Sequence, residues 1–267
     1  MGAEYFPTNW LVYVGPKTVT LVGATWMPAM ARTLSMRIRQ VTRLPVTAVI
    51  DTSPDPEWSG GNAYWKDIGA KVFAVRITDE LPKDTWTQRD RRARKNHPGY
   101  PILPLVAPTD VVANKFTLQH GKLRAFYLGP AHTPGDIFVY FPREQVLDAG
   151  SILKPYLGNM ANADVHEYPK TLRRLRRMHL KIRTVIAGDW SAVQGPDLIE
   201  KYLGMLKVYA PRASSFSTPV IRYRSRQRRL PAGGHEQGKP ALVEELIGLL
   251  SGLGGPDPCL LVEGVGI

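Results

Sequence analysis

Four polar clusters follow directly on short apolar runs, and they hold the side chains of this chain best suited to chemistry. Val46–Ile50 leads into Asp51-Thr52-Ser53-Pro54-Asp55-Pro56-Glu57, and residues 122–128 lead into Gly129-Pro130-Ala131-His132. Residues 145–147 lead into Asp148-Ala149-Gly150-Ser151, and residues 183–186 into Ala187-Gly188-Asp189. Ligand sites collect in loops at the carboxyl ends of strands, because rigid strands hold the loop residues in place. If these loops converge, their Asp, Glu, His and Ser side chains could share one site. Asp and Gly after a strand are equally ordinary turn residues, and a lone histidine is more often structural than catalytic. The pattern alone leaves both readings open. Ser151 has no histidine in its own motif, which makes serine catalysis the weaker chemistry. His97, His120, His166, His179 and His235 fall outside these loops and read as surface or structural residues.

The elements that would position the clusters alternate between strand and helix. Residues 10–14 and 18–22 are β-branched runs separated by Gly15-Pro16, which predicts a hairpin. Met27, Met30, Leu34, Ile38 and Val41 step by three or four, as on one face of a helix. A helix around 61–68 and a strand at 71–76 follow, then a helical stretch near 84–95. The second half opens in strands at 116–118, 122–128, 137–141 and 145–147. It closes with a helix near 169–178, a strand at 183–186 and a helix at 196–209, with Pro196 in its first turn. This recurrence predicts layered α/β packing. Residues 211–240 are rich in Pro, Gly, Ser and Arg and read as linker or disorder. The last residues show no helical or strand pattern long enough to fold alone. The expected division is a domain over 1–212 and a basic and apolar tail over 213–267.

Composition narrows the function. With 267 residues and 43% hydrophobic content, the chain can bury one large core or two modest ones. It has no run of 18 apolar residues, so a membrane span is not expected, and no secretory signal is seen at its start. The single cysteine, Cys259, excludes an intramolecular disulfide and leaves no thiolate in the main domain. A formal net charge of +12 suggests anionic partners. The charge sits mainly in three runs, over 89–95, 173–183 and 222–229. In the second run Leu172, Leu175 and Leu180 keep a rough helical spacing with arginines between them, the pattern of a solvated helix face. Without the interleaved aromatics used by single-strand binders, nucleic-acid binding is the minor expectation.

Several stretches together resemble the metallo-β-lactamases. They are Gly60-Gly61-Asn62-Ala63-Tyr64-Trp65-Lys66-Asp67-Ile68-Gly69-Ala70-Lys71-Val72, Gly129-Pro130-Ala131-His132-Thr133-Pro134, Phe138-Val139-Tyr140-Phe141-Pro142, Ile152-Leu153-Lys154, Leu157-Gly158-Asn159 and Gly195-Pro196-Asp197-Leu198-Ile199. The likeness runs from about residue 5 to 212 and is greatest to the mono-zinc, carbapenem-hydrolysing subclass. It implies a four-layer αββα sandwich with the site at one edge, and a periplasmic setting. The metal positions depart from the family. Its first metal loop, His or Asn-x-His-x-Asp, is here Ser53-Pro54-Asp55-Pro56-Glu57, while its Cys is Ser151 and its final His is Asp189. Only His132 carries the family residue. Two positions that resemble substrate contacts remain, Lys154 for a substrate carboxylate and Asn159 near a lactam carbonyl.

The resemblance therefore implies a divalent metal, zinc in the family, held by Asp55, Glu57, His132, Ser151 and Asp189, with Asp55 and His132 catalytic. Zinc favours thiolate and imidazole; this set is harder and suits manganese, magnesium or iron better, if any metal. The expected protein is a monomeric metal-dependent hydrolase of β-lactam or other amide-like small molecules. The alternative is a catalytically silent relative that keeps the fold and an anion-binding groove. Without a cation, clustered carboxylates would repel one another, and at least one pKa should rise.

Overall fold

Alternation of period two along strand β1 (Phe6–Val14) decides which surfaces become dry. Trp10 and Val12 join one buried cluster, while Leu11 and Tyr13, pointing the opposite way, join another. The computed structural model describes residues 6–80, 86, 91, 95, 105–158, 160, 162–189, 193–213, 246–249 and 259–266. β1 turns at Gly15-Pro16 into the antiparallel strand β2 (Val19–Val22), the expected hairpin. Helix α1 (Pro28–Val41) then crosses over to β3 (Val46–Ile50), which lies parallel to β2. Two short helices, α2 (Pro56–Ser59) and α3 (Asn62–Asp67), lead to β4 (Lys71–Val75), and α4 (Arg76–Glu80) follows. Strand β5 (Asp110–Val112), not anticipated because three residues are too few to show an alternation, extends the parallel part of the sheet. Most of the helical stretch expected near 84–95 lies outside the described residues.

The second sheet collects the later strands: β6 (Lys115–Leu118), β7 (Leu123–Phe126), β8 (Phe138–Phe141) and β9 (Val146–Asp148) run antiparallel in order. After helix α5 (Tyr168–Arg177), strand β10 (Thr184–Ile186) lies parallel to β9, and β11 (Val193–Gln194) closes the edge before helix α6 (Leu198–Ala213). The apolar residues fall into three layers. Met30, Leu34 and Ile38 of α1 pack with Trp10, Val49 and Trp65 on the outside of the first sheet. Leu11, Ile50, Val139, Phe141 and Ile186 fill the space between the sheets. Phe138, Leu147 and Val185 meet Leu172 and Leu175 of α5 and Tyr202 and Leu206 of α6 outside the second sheet. These three dry layers define the αββα sandwich.

Two strands lie within the stretch from 213 to 267, where the sequence shows no strand pattern long enough to fold alone. β13 (Cys259–Gly266) pairs antiparallel with β1 from Phe6↔Gly266 to Tyr13↔Cys259, and β12 (Leu246–Leu249) pairs with β13. The physical reason lies in β1, whose outer edge presents a row of backbone donors and acceptors that serves as a template for another strand. A partner of eight residues can find that register although it could not fold by itself.

The two sheets are locked together beside the polar clusters. Asn9 N donates to Gly188 O at 2.8 Å, Asn9 Nδ2 donates to Ala187 O at 2.9 Å, and Thr8 forms a β-bridge with Asp189. Gly188 is wedged so tightly that a Cβ there would lie 2.1 Å from Gly150 O. Overpacking of this kind costs about 1–3 kcal/mol or more. Gly204, by contrast, lies within α6 with open space around it, where alanine gains about 0.5–1 kcal/mol of helix stability. Gly188→Ala should therefore lower the urea midpoint and Gly204→Ala should raise it, as checked by equilibrium denaturation.

Candidate functional site

The loop after β3 is built from side chains that turn inward. Asp51 is buried and accepts a hydrogen bond of 2.7 Å from Asn62 Nδ2 at the start of α3. Burial pushes its carboxyl from 3.8 up to about 8, the Asn62 hydrogen bond opposing and the charge of Asp79 adding to the shift. Thr52 O accepts from Ile137 N at 2.9 Å, tying this loop to the residues that enter β8. Ser53 Oγ accepts from Asp55 N at 3.3 Å and donates to Asp136 Oδ1 at 2.7 Å.

Asp136 is the hub of the site, and no sequence motif singled it out. Its Oδ1 also accepts from Thr133 Oγ1 at 2.6 Å and from Ser151 Oγ at 3.0 Å, while its Oδ2 accepts from Thr133 N at 2.6 Å. Burial, helped by the neighbouring charge of Asp55, raises its carboxyl to about 6 against these hydrogen bonds. A usable signal was present: Asp136 directly precedes the apolar run 137–141, a place where a carboxyl is carried into the core and must find donors.

His132 is buried, with Nε2 at 3.9 Å from Asp55 Oδ2. Helix α5 fixes the loop before it: Thr171 Oγ1 donates to Pro130 O at 2.7 Å, and Arg174 Nη1 donates to Leu128 O at 2.9 Å. Glu57 stands half-buried in the first turn of α2, its backbone carbonyl taking the Trp10 indole N–H at 2.9 Å. Asp148, at the end of β9, is buried and accepts from Gly150 N at 3.1 Å; burial pushes its carboxyl up to about 8 against that bond.

Asp189 and Lys154, assigned from the sequence to a metal and to a substrate carboxylate, face each other. Lys154 Nζ stands 2.6 Å from Asp189 Oδ2, and both side chains are buried. Burial alone would lower the lysine pKa, but the adjacent Asp189 carboxylate overrides it and holds the ammonium above its ordinary value. Asn159 lies outside the described residues.

The four loops thus come together, the first of the two readings the sequence left open, but on each other. Ser53 and Ser151 both spend their hydroxyl protons on Asp136, and Asp189 is neutralised by an internal cation. Asp55 and His132 remain as an adjacent pair, whereas a zinc site takes three or four protein ligands. Among the described residues no group of three or more His, Cys, Asp or Glu side chains is placed to hold a metal ion. As they stand, the side chains at Asp55, Glu57, His132, Ser151 and Asp189 do not fit the family's zinc, since Ser151 offers a hydroxyl turned to Asp136 where the family has a thiolate, and the Asp189 carboxylate is held by Lys154. The carboxyls that are raised are instead Asp51, Asp136 and Asp148, none of them at an expected metal position, and burial rather than mutual repulsion leads at each.

The profile of the metallo-beta-lactamase superfamily matches residues 3–258, and the chain belongs to that superfamily. Among curated relatives, it is 26% identical over 195 residues to metallo-beta-lactamase IND-1 of Chryseobacterium indologenes, covering 71% of this chain and 75% of that protein. To metallo-beta-lactamase type 2 of Bacillus cereus it is 29% identical over 189 residues, 69% of this chain and 68% of the relative. Among solved structures, the metallo-β-lactamase from Erythrobacter litoralis superposes with a TM-score of 0.65 at 23% identity, over 78% of this chain and 88% of that one. TMB-1 superposes with a TM-score of 0.64 at 18% identity, over 76% and 86%. These likenesses carry the fold.

Removing one member of a buried ion pair strands the other charge and costs about 3–5 kcal/mol, whereas replacing both by apolar groups is often neutral. Lys154→Met should therefore destabilise the protein strongly by denaturant titration, and Lys154→Met/Asp189→Leu should recover most of the loss. Asp51 has a folded pKa above its unfolded one. Its contribution is full below pH 4 and declines as pH rises through about 8. Asp51→Asn should thus flatten the fall in melting temperature between pH 5 and 9.

Proposed function

We propose that this protein is a catalytically silent member of the superfamily, one that keeps the sandwich and does not run metal-dependent hydrolysis. The observation that carries this reading is the 2.6 Å pair between Lys154 and Asp189. A carboxylate at the last metal position is already neutralised, and a second cation beside the ammonium would meet like-charge repulsion in a poorly screened setting. The same pair takes up the lysine that would otherwise greet an anionic substrate, so the anion-binding groove is not part of this reading. Ser53 and Ser151 add to the case, since each hydroxyl points its proton at Asp136. Zinc is the family's metal, and the relatives are named as β-lactamases. For this chain both belong to the competing reading.

That second reading, hydrolysis of a β-lactam or another amide by an altered metal site, draws support from one contact. Asp55 and His132 stand 3.9 Å apart, close enough for both to contact one ion. Metal analysis separates the two. Purified protein incubated with Zn²⁺ or Mn²⁺ and then dialysed should retain far less than one metal per chain, and nitrocefin or imipenem should decay at the buffer rate. Stoichiometric retained metal, with turnover that Asp189→Ala abolishes, would establish the hydrolase instead. As a positive control, Glu57→Asp/Ser151→Cys/Asp189→His rebuilds the thiolate and imidazole donors and should gain about one zinc per chain.

A further inference from the structure

Helix α5 hides one side and charges the other. Tyr168, Thr171, Leu172 and Leu175 are buried, while Arg173, Arg176 and Arg177 are exposed, as is His179 just past the helix end. Those three arginines and His179 together line a shallow concavity in the surface, with no other lining residue among the described ones. The cationic strip continues along the chain: Lys181 and Arg183 are exposed, with half-buried Ile182 between them. Among the described residues, one carboxylate pairs with this strip, the exposed Glu200 at 2.8 Å from Arg176.

The sequence pattern of a solvated helix face accounts for the exposure but not for the arrangement. Cations in the last turn of a helix are favoured by its dipole, by about 0.3–1 kcal/mol each. That covers Arg176 and Arg177. It does not cover Arg173, a turn earlier, or Lys181 and Arg183 beyond the helix. Six cationic or titratable side chains gathered on one stretch of surface repel one another, and a polyanion relieves that repulsion. Guanidinium groups suit phosphate because their forked donors reach two oxygens at once. The chain's net charge of +12 would draw such a partner in.

We propose that α5 and residues 178–183 form a docking surface for the phosphate backbone of a nucleic-acid duplex, bound without regard to sequence. A duplex is favoured over an unpaired strand because the strip has no exposed aromatic side chain on which bases could stack; the nearby Tyr140 is buried, its hydroxyl donating to Lys181 O at 2.7 Å. This surface uses none of the residues that close the polar site, so the proposal stands apart from catalytic silence.

Fluorescence anisotropy of the full chain with a labelled DNA duplex of about 20 base pairs tests it. Each phosphate neutralised contributes a slope of about −0.9 in log affinity against log salt. Engagement of about four phosphates predicts a slope between −3 and −4. Arg173→Glu/Arg177→Glu alters exposed residues only, and circular dichroism should confirm an unchanged fold. It should weaken binding at least about tenfold and bring the slope about two closer to zero. Arg222→Glu/Arg224→Glu, in the separate basic run, should retain most of the affinity. A flat salt response, loss of binding in the second variant but not the first, or tighter binding to phosphatidylserine vesicles than to the duplex would each overturn the proposal.

Discussion

A carboxylate withdrawn from water has to be neutralised by something, whether a metal, a proton or a neighbouring base. At Asp189 it is neutralised by the ammonium of Lys154, which is itself buried and would not stay charged there without its partner. Each charge is the reason the other can be inside. The arrangement then constrains its surroundings, because an ion pair in a poorly polarisable setting tolerates little displacement. The bridge from Thr8 to Asp189, the Asn9 hydrogen bonds to Ala187 and Gly188, and the close passage of Gly188 against Gly150 all hold the loop after β10 where the lysine can reach it. The tightest contacts between the two sheets thus serve the same short segment.

Asp136 solves the neighbouring problem by different means. Two serines and a threonine direct their hydroxyl protons to one of its oxygens, and a backbone N–H serves the other. The four loops that the superfamily's architecture brings together still arrive at one place. What they do on arrival is satisfy each other. Around Asp136 they form a buried network in which each of these donors has an internal acceptor.

The elements of the fold were largely readable from periodicity, while their αββα order came with the resemblance to the metallo-β-lactamases. Alternation at Trp10 to Tyr13, helical spacing from Met30 to Ile38, and apolar runs such as Phe138 to Phe141 depend only on local sequence and burial, so their faces are set before any tertiary contact is known. The convergence of the four loops was only half readable, since strand ends offer the opportunity but Asp and Gly there serve turns equally well. The pairing inside the site was not readable. Lys154 and Asp189 are 35 positions apart, and whether a lysine points to a substrate or to a carboxylate is decided by distances that no spacing rule encodes. Asp136 escaped for a related reason: it sits at no metal position and acts only through partners drawn from three separate segments. The terminal strand β13 was missed because its pairing belongs to the edge of β1 rather than to its own sequence.

The sharing of one oxygen by Ser53, Thr133 and Ser151 also bears on the history still open to this lineage. An imidazole restored at 53 or a thiolate restored at 151 would arrive alone, evicting a donor from Asp136 while Lys154 continued to hold Asp189. Either change alone would therefore cost stability before any ion could be held. The interlocked hydroxyls make these positions interdependent, so that none can be exchanged without reopening a network the others complete.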